Sequence, residues 1–177
     1  MRLIDIIKLV FKSQISINKR IRMGGGKVGN NVDIISSHID MLSPKLISIG
    51  DNVTLSHVNL LVHDASTKKT LGYTKFGKVT IGDNVFVGLG TIILPGVEIG
   101  NNVVIGAGSV VSQDIPSDSV AVGAPCKPIA SFENYMKKSE DIIREGFSLD
   151  KSPSELSEKE TDSILKELQD TRYFYLR

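Results

Sequence analysis

Between Val79 and Pro116 the chain repeats itself every six residues. From Ile81 it reads IGDNVF, VGLGTI, ILPGVE, IGNNVV, IGAGSV and VSQDIP. The first position is Ile81, Val87, Ile93, Ile99, Ile105 and Val111, always a β-branched aliphatic. The fifth is Val85, Thr91, Val97, Val103, Ser109 and Ile115, always small or β-branched, and the second is mostly glycine. A helix, at about 3.6 residues per turn, cannot hold a strict period of six on one face, and a lone strand needs alternation without recurrent glycine. A short regular repeat predicts one supersecondary unit stacked on itself, each unit too small to bury its own face. First-position aliphatics then stack inward, strand above strand at about 4.8 Å. Gly82-Asp83-Asn84 and Gly100-Asn101-Asn102 fall at corners, where glycine and asparagine tolerate positive φ.

The rest of the chain is read around this repeat. A length of 177 residues allows one domain, or one domain with a small appendage. A net charge of +1 provides no field for nucleic acid or an anionic membrane. The single cysteine, Cys126, excludes an internal disulfide and predicts a reducing compartment. Residues 2–12 predict a short amphipathic helix with Leu3, Ile6, Ile7 and Val10 on one face. Asp5 and Lys8 interrupt it, so it is neither a signal peptide nor a membrane span, and the expected location is the cytoplasm. Packing on the body or on a neighbouring subunit is the favoured role for this helix over peripheral membrane contact, because it carries few basic residues. A basic linker, Lys19 to Arg22, and a flexible joint at Gly24-Gly25-Gly26 follow.

The six-residue phase starts at Val28 and Ile34, blurs over an irregular connection at residues 40–48, and returns at Ile49, Leu55 and Leu61. It fails again from Thr67 to Lys78, and such an interruption predicts an excursion loop on the binding face. From Phe132 the pattern turns helical. Ser152-Pro153-Ser154-Glu155 predicts a capping box heading a helix whose buried stripe is Ile164, Leu165 and Leu168. The apolar residues of Arg172 to Leu176 call for a partner surface. The predicted organisation is an N-terminal helix and linker over 1–23, the repeat domain over 24–130 with a loop at about 66–79, and a helical tail over 131–177.

From roughly Val28 to Ile129, most densely from Ile49, the chain resembles the hexapeptide-repeat acyltransferases, and the stretch from Ile81, including Gly123-Ala124-Pro125-Cys126-Lys127, looks like the galactoside, maltose and polysaccharide O-acetyltransferases. The resemblance implies a mainly β fold: a left-handed parallel β-helix, three six-residue sides per coil, with a short N-terminal helix and C-terminal helices added. It also implies a homotrimer with acetyl-CoA bound between subunits as acyl donor, no metal, and a sugar hydroxyl as acceptor. The short N-terminal helix and the C-terminal helices favour a precursor of surface-polysaccharide biosynthesis, as a nucleotide- or lipid-linked sugar, over a free metabolite.

A hydroxyl near neutral pH needs a base of matched pKa within hydrogen-bond reach, which histidine supplies. The chain has three: His38, His57 and His63. The resemblance places the general base at His63, where the repeat gives way to the loop; the alternative is a turn histidine bonded to Asp64 or backbone. Asp64 either orients the imidazole or caps a turn, with the turn favoured. An earlier coil of the galactoside enzymes contributes an asparagine to the acceptor site; here the corresponding residues are Ser36, Ser37 or His38. His38, at an inward fifth position, is either part-buried structure or a second polar group in the cleft, and His57 is expected at the surface. For the CoA groove the resemblance points to Phe86, Gly88, Leu89, Gly106, Ala107 and Gly108, with the amide of Gly88 or Leu89 facing the thioester carbonyl. Ser112 and Lys127 complete it near the exit, Lys127 toward a CoA phosphate. Lys68, Lys69, Lys75 and Lys78 either attract an anion or form a solvated rim.

Two rival readings remain at this point. A γ-type carbonic anhydrase uses the same solenoid with zinc on three histidines. A trimeric solenoid scaffold predicts no CoA binding and no role for His63.

Overall fold

The computed structural model describes residues 15–145, 148–168 and 175–176. The predicted helix over 2–12 and the apolar side chains at the C-terminus lie outside them. The chain divides into two compact units, Met1–Phe132 and Glu133–Arg177.

The first unit is built from three parallel sheets that the chain visits in rotation. The first sheet holds β1 (Lys27–Val28), β4 (Ile47–Ile49), β9 (Val79–Ile81) and β12 (Glu98–Ile99). The second holds β2 (Val32–Ile35), β5 (Val53–Ser56), β10 (Val85–Val87), β13 (Val103–Ile105) and β15 (Ser119–Val122), closed by the antiparallel β16 (Lys127–Ser131). The third holds β3 (His38–Ile39), β6 (Asn59–Leu60), β11 (Ile92–Ile93) and β14 (Val110–Val111). Each sheet stacks the repeat's first position on itself: Ile49, Ile81 and Ile99; Leu55, Val87 and Ile105; Leu60, Ile93 and Val111. All nine are buried. At roughly 1.5–3 kcal/mol for each fully buried aliphatic side chain, this ladder is the main cohesive term of the unit.

The corner between the first and second sheets is the same in every coil. Asn31, Asn52, Asn84, Asn102 and Asp118 all take positive φ there, between 51° and 59°. Their side chains bond in a row: Asn31 Nδ2 to Asn52 Oδ1 at 3.0 Å, Asn52 Nδ2 to Asn84 Oδ1 at 3.1 Å, Asn84 Nδ2 to Asn102 Oδ1 at 3.0 Å, and Asn102 Nδ2 to Asp118 Oδ1 at 2.8 Å. The glycine two residues earlier has a different task from the one expected. Positive φ falls on the asparagine, while a Cβ on Gly82 would lie 2.3 Å from Asn101 Oδ1. Close stacking, not turn geometry, demands that glycine. Replacing Asn84 by Ala removes two ladder bonds and puts an alanine in the left-handed region. A loss of about 1–2 kcal/mol in chemical denaturation is expected.

Coil length varies only at the other corners. The spacing from Asn84 to Asn102 is 18 residues, but Asn31 to Asn52 is 21 and Asn52 to Asn84 is 32. One difference lies between the second and third sheets. Ile34 to Ile39 and Leu55 to Leu60 each step five residues, whereas Val87 to Ile93 steps six. The tighter turns place Ser36 and His57 at φ 45° and 51°. Ser37 Oγ fills the gap, accepting from Val58 N at 2.9 Å and donating to Leu55 O at 3.1 Å. This slip corrects the expected phase: Leu60 rather than Leu61 faces inward, and Ile39 takes the inward place expected of His38, which is exposed.

The larger difference lies between the third and first sheets. Ile39 to Ile49 steps ten residues and Leu60 to Ile81 steps twenty-one, in adjacent coils and at the same corner. The first insertion holds a 3₁₀ turn, Pro44–Leu46. The second is more ordered than a loop over 66–79 implies. It carries β7 (His63–Asp64), a short helix α2 (Lys68–Leu71) and β8 (Lys75–Phe76), and Val79 already belongs to β9. The expected linker and joint are also structured. Helix α1 (Ile17–Met23) buries Ile21, and Gly26 is wedged so that a Cβ would lie 2.4 Å from Pro44 O. Arg22 Nη2 donates to Val28 O and Gly29 O at 2.9 and 2.7 Å, tying the helix to the first coil.

The second unit contains α3 (Phe132–Glu145), whose first residue still belongs to the first unit, a parallel pair β17 (Ser148–Leu149) and β18 (Tyr175–Leu176), and α4 (Glu158–Glu167). The predicted capping box at Ser152 and Glu155 heads only a 3₁₀ turn, and a second box at Ser157 and Glu160 starts α4. Glu160 also bonds Lys151 at 2.6 Å, and this contact with the Ser157 donors lowers its pKa to about 2. Ile164 is buried, but Leu165 is 58% exposed, since adjacent helical residues point about 100° apart.

Candidate active site

The two insertions at one corner bring Asp40 and His63 together. Asp40 follows β3 directly, and His63 opens β7, three residues past the end of β6 and one coil further along. Because β3 and β6 pair in register, the residues leaving them stack. Asp40 is 7% exposed, and both of its oxygens accept hydrogen bonds. Oδ1 accepts from Leu42 N at 3.0 Å, and Oδ2 accepts from Val62 N at 3.1 Å and from His63 Nδ1–H. Burial works to raise the Asp40 pKa, but the Leu42 amide, the His63 side chain and the Val62 amide together hold it below its ordinary value. The carboxylate is therefore ionised near neutral pH and can only accept, so the bond uses the Nδ1 proton of His63 and, in the neutral ring, makes Nε2 the acceptor.

The imidazole is braced from a second side. His63 pairs with Phe76 and Asp64 with Lys75 in the antiparallel β7–β8 ribbon. The rings of His63 and Phe76 lie 5.9 Å apart, tilted 32°. The side chain of His63 is 33% exposed. It opens on a cleft of about 520 Å³ lined by Leu61, His63, Asp64, Ala65, Lys75, Leu94, Pro95 and Ser112.

The acid limb of stability follows from Asp40. A carboxyl with a depressed folded-state pKa stabilises the fold above its unfolded value of about 3.8, and that contribution is lost as pH falls through the folded value. Asp40→Asn is expected to melt at lower temperature than wild type at pH 7. The gap should narrow as pH falls below about 4, read from thermal melts across pH.

The other candidate residues fall in distinct places. Asp64 caps a turn: its Oδ1 accepts from Ser66 N at 2.9 Å, and its Oδ2 pairs with Lys75 at 3.4 Å. Ser112 lines the His63 cleft. Ser36 is exposed at the corner between the second and third sheets, away from His63. His38 lines a separate cleft. Phe86, Gly88, Leu89, Gly106 and Ala107 lie along β10 and β13 and the corner that follows them. Phe86 and Leu89 are 47% and 58% exposed. Gly88 is buried, and its N–H is already donated to Ile105 O at 2.8 Å, so it is corrected as a carbonyl-binding donor. A Cβ on Gly88 would lie 2.6 Å from Ala107 N, which accounts for the glycine by close packing. Lys127 is exposed on β16. His38, His57 and His63 do not converge, and among the described residues no three His, Cys, Asp or Glu side chains gather as metal ligands.

Asp40 is the residue that sequence reasoning missed. It lies 23 positions before His63, inside a stretch without the repeat, where no spacing rule connects the two. The available signal was the coincidence of two breaks: each follows the same side of successive coils.

Residues 78–113 match the family model described as bacterial transferase hexapeptide (six repeats). The chain is 44% identical over 126 residues to the protein CapG of Staphylococcus aureus, which covers 67% of this chain and 73% of CapG. It is 40% identical over 108 residues to the galactoside O-acetyltransferase of Lactococcus lactis, covering 61% of this chain and 51% of that enzyme, so it spans only about half of that relative. A solved galactoside acetyltransferase in complex with coenzyme A superposes with a TM-score of 0.52 at 35% identity, covering 64% of this chain and 58% of that one. With the rotation through three parallel sheets and the match to CapG over most of its length, this chain belongs to the hexapeptide-repeat acyltransferase family.

Proposed function

We propose that this protein transfers an acetyl group from acetyl-CoA to a hydroxyl of a sugar, a polysaccharide precursor, with His63 as general base. The observation that carries the reading is the Asp40–His63 pair at the mouth of a cleft, formed where two successive coils depart from the repeat. Nε2 takes the acceptor's hydroxyl proton as that oxygen attacks the thioester carbonyl. The C–S bond breaks, and the departing thiolate recovers the proton from the imidazolium. Asp40 holds the ring and stabilises the imidazolium while it exists. The Leu89 amide, with no acceptor among the described residues, is the donor for the developing oxyanion.

Leu89 and His63 follow different sheets in successive coils, so they occupy different corners of the stack. A site using both is completed by a neighbouring copy. This favours a homotrimer, with the acyl donor running past Phe86, Leu89 and Ala107 of one subunit toward His63 of the next. The reading takes the coil as left-handed, as the resemblance implies, with residues 24–130 as the acyltransferase body. Among the described residues no helix is long and apolar enough to cross a membrane.

The test is release of free CoA from acetyl-CoA against a panel of sugars and sugar derivatives. Acceptor-dependent release with a matching acetylated product is expected. CoA release that no hydroxyl compound stimulates would overturn the reading.

A further inference from the structure

A second cleft, of about 490 Å³, adjoins the Asp40–His63 pair and has no role in the steps above. Its polar lining comes from Arg20, Ser37, His38 and Asp40. Three elements supply these groups: α1 gives Arg20, the turn before β3 gives Ser37, and β3 with the insertion after it gives His38 and Asp40. Ser37 Oγ is spent on Ile35 O, Leu55 O and Val58 N. Asp40 has its oxygens taken by Leu42, Val62 and His63. Arg20 and His38 have no side-chain partner among the described residues, so the donors left facing the cleft are a permanent cation and an imidazole.

We infer that this cleft binds a phosphate carried by the acceptor, so that the acetyl group goes to a phosphorylated sugar. This rests on the acetyl-transfer reading and names its substrate class. An arginine fork offers paired N–H donors to two oxygens of one phosphate, and His38 adds a donor from another direction. The cleft is in the size range of small-ligand sites, with Ile17, Ile39, Met41 and Leu42 as its apolar walls. Its link to the chemistry is Asp40, which lines this cleft on one side and bonds the base on the other. A phosphate held at Arg20 thus anchors a sugar whose ring reaches toward His63.

The test uses the full chain with three probes: glucose 1-phosphate, glucuronic acid and methyl glucoside. Titration calorimetry should show glucose 1-phosphate binding at least about tenfold more tightly than either other probe, the scale of a charge-assisted hydrogen bond. Arg20→Gln keeps the side-chain stem and should weaken glucose 1-phosphate about tenfold while leaving the response to methyl glucoside unchanged. His38→Gln, at an exposed strand position, should weaken it about threefold. In turnover the Arg20→Gln loss should appear in KM for phosphorylated acceptors, with kcat preserved. Equal binding of glucose 1-phosphate and methyl glucoside, equal binding of glucuronic acid, or indifference to both variants overturns the inference. Binding dependent on Arg20 without any acetyl transfer leaves the phosphate site standing and removes the proposed function. Transfer to neutral sugars with no phosphate effect does the reverse.

Discussion

Replacing His63 by alanine is expected to lower acetyl transfer by about 10²–10⁴-fold, the range for loss of a positioned general base. The fall should lie in kcat, because the imidazole acts on the proton in flight and contributes little to holding either substrate. Folding should be nearly unaffected. His63 is part-exposed, and its loss leaves Asp40 still accepting from Leu42 and Val62. His63→Gln is the sharper control, since an amide can still bond Asp40 yet cannot take up a proton. Its activity should match that of His63→Ala. Full turnover in either variant, with sedimentation and melting unchanged, would sink the assignment of the base.

Gly77→Ala should have the largest effect on the fold of the site. A Cβ there would lie 2.4 Å from Gly96 N, 2.7 Å from Pro95 C and 2.8 Å from Gly96 Cα. All three are backbone atoms of the next coil and cannot rotate away. Relief requires moving the chain at residue 77, whose N–H donates to Val62 O at 3.0 Å. Phe76, the residue before it, pairs with His63. The clash is therefore transmitted to the base through the β7–β8 ribbon. A stability loss of roughly 3 kcal/mol is expected from overpacking against fixed backbone. Activity should fall about tenfold or more at temperatures where the variant is still folded, since catalysis is sensitive to displacements near 1 Å. Circular dichroism melts and single-temperature turnover separate the two effects. A variant with wild-type melting would mean that the coil corner yields more easily than its packing implies.

The comparison of coils shows which features a linear repeat reveals. From Ile81 onward each hexad has a β-branched first residue, and all but the Leu94 hexad have glycine or serine second; the first positions stack inward as that pattern requires. In the earlier coils the sequence still alternates aliphatic and polar residues, but one residue is missing from each turn between the second and third sheets. A deletion of one is invisible by eye when Leu60 and Leu61 are both leucine. Only the pairing of Leu60 with Ile93 identifies the inward one. The same slip moved His38 from an expected inward position to the surface, and from the reaction cleft to its neighbour. The basic stretch around Arg20 read as a linker because its charges mask a single apolar anchor, Ile21, which is fully buried.

By itself the sequence determined the stacked coil, the small-residue second positions, the asparagine corners and the identity of the histidine at the break. Each is a local property: a period, a steric allowance or a residue type placed at a fixed distance from its neighbours. Only the tertiary structure decided that Asp40 is the partner of His63, that Gly88 spends its amide on the next coil, and that Arg20 and His38 share a cleft. These contacts join residues in different coils across insertions of unequal length. Once a coil departs from its period, spacing in the chain no longer measures distance in space, and strand register alone determines which residues meet.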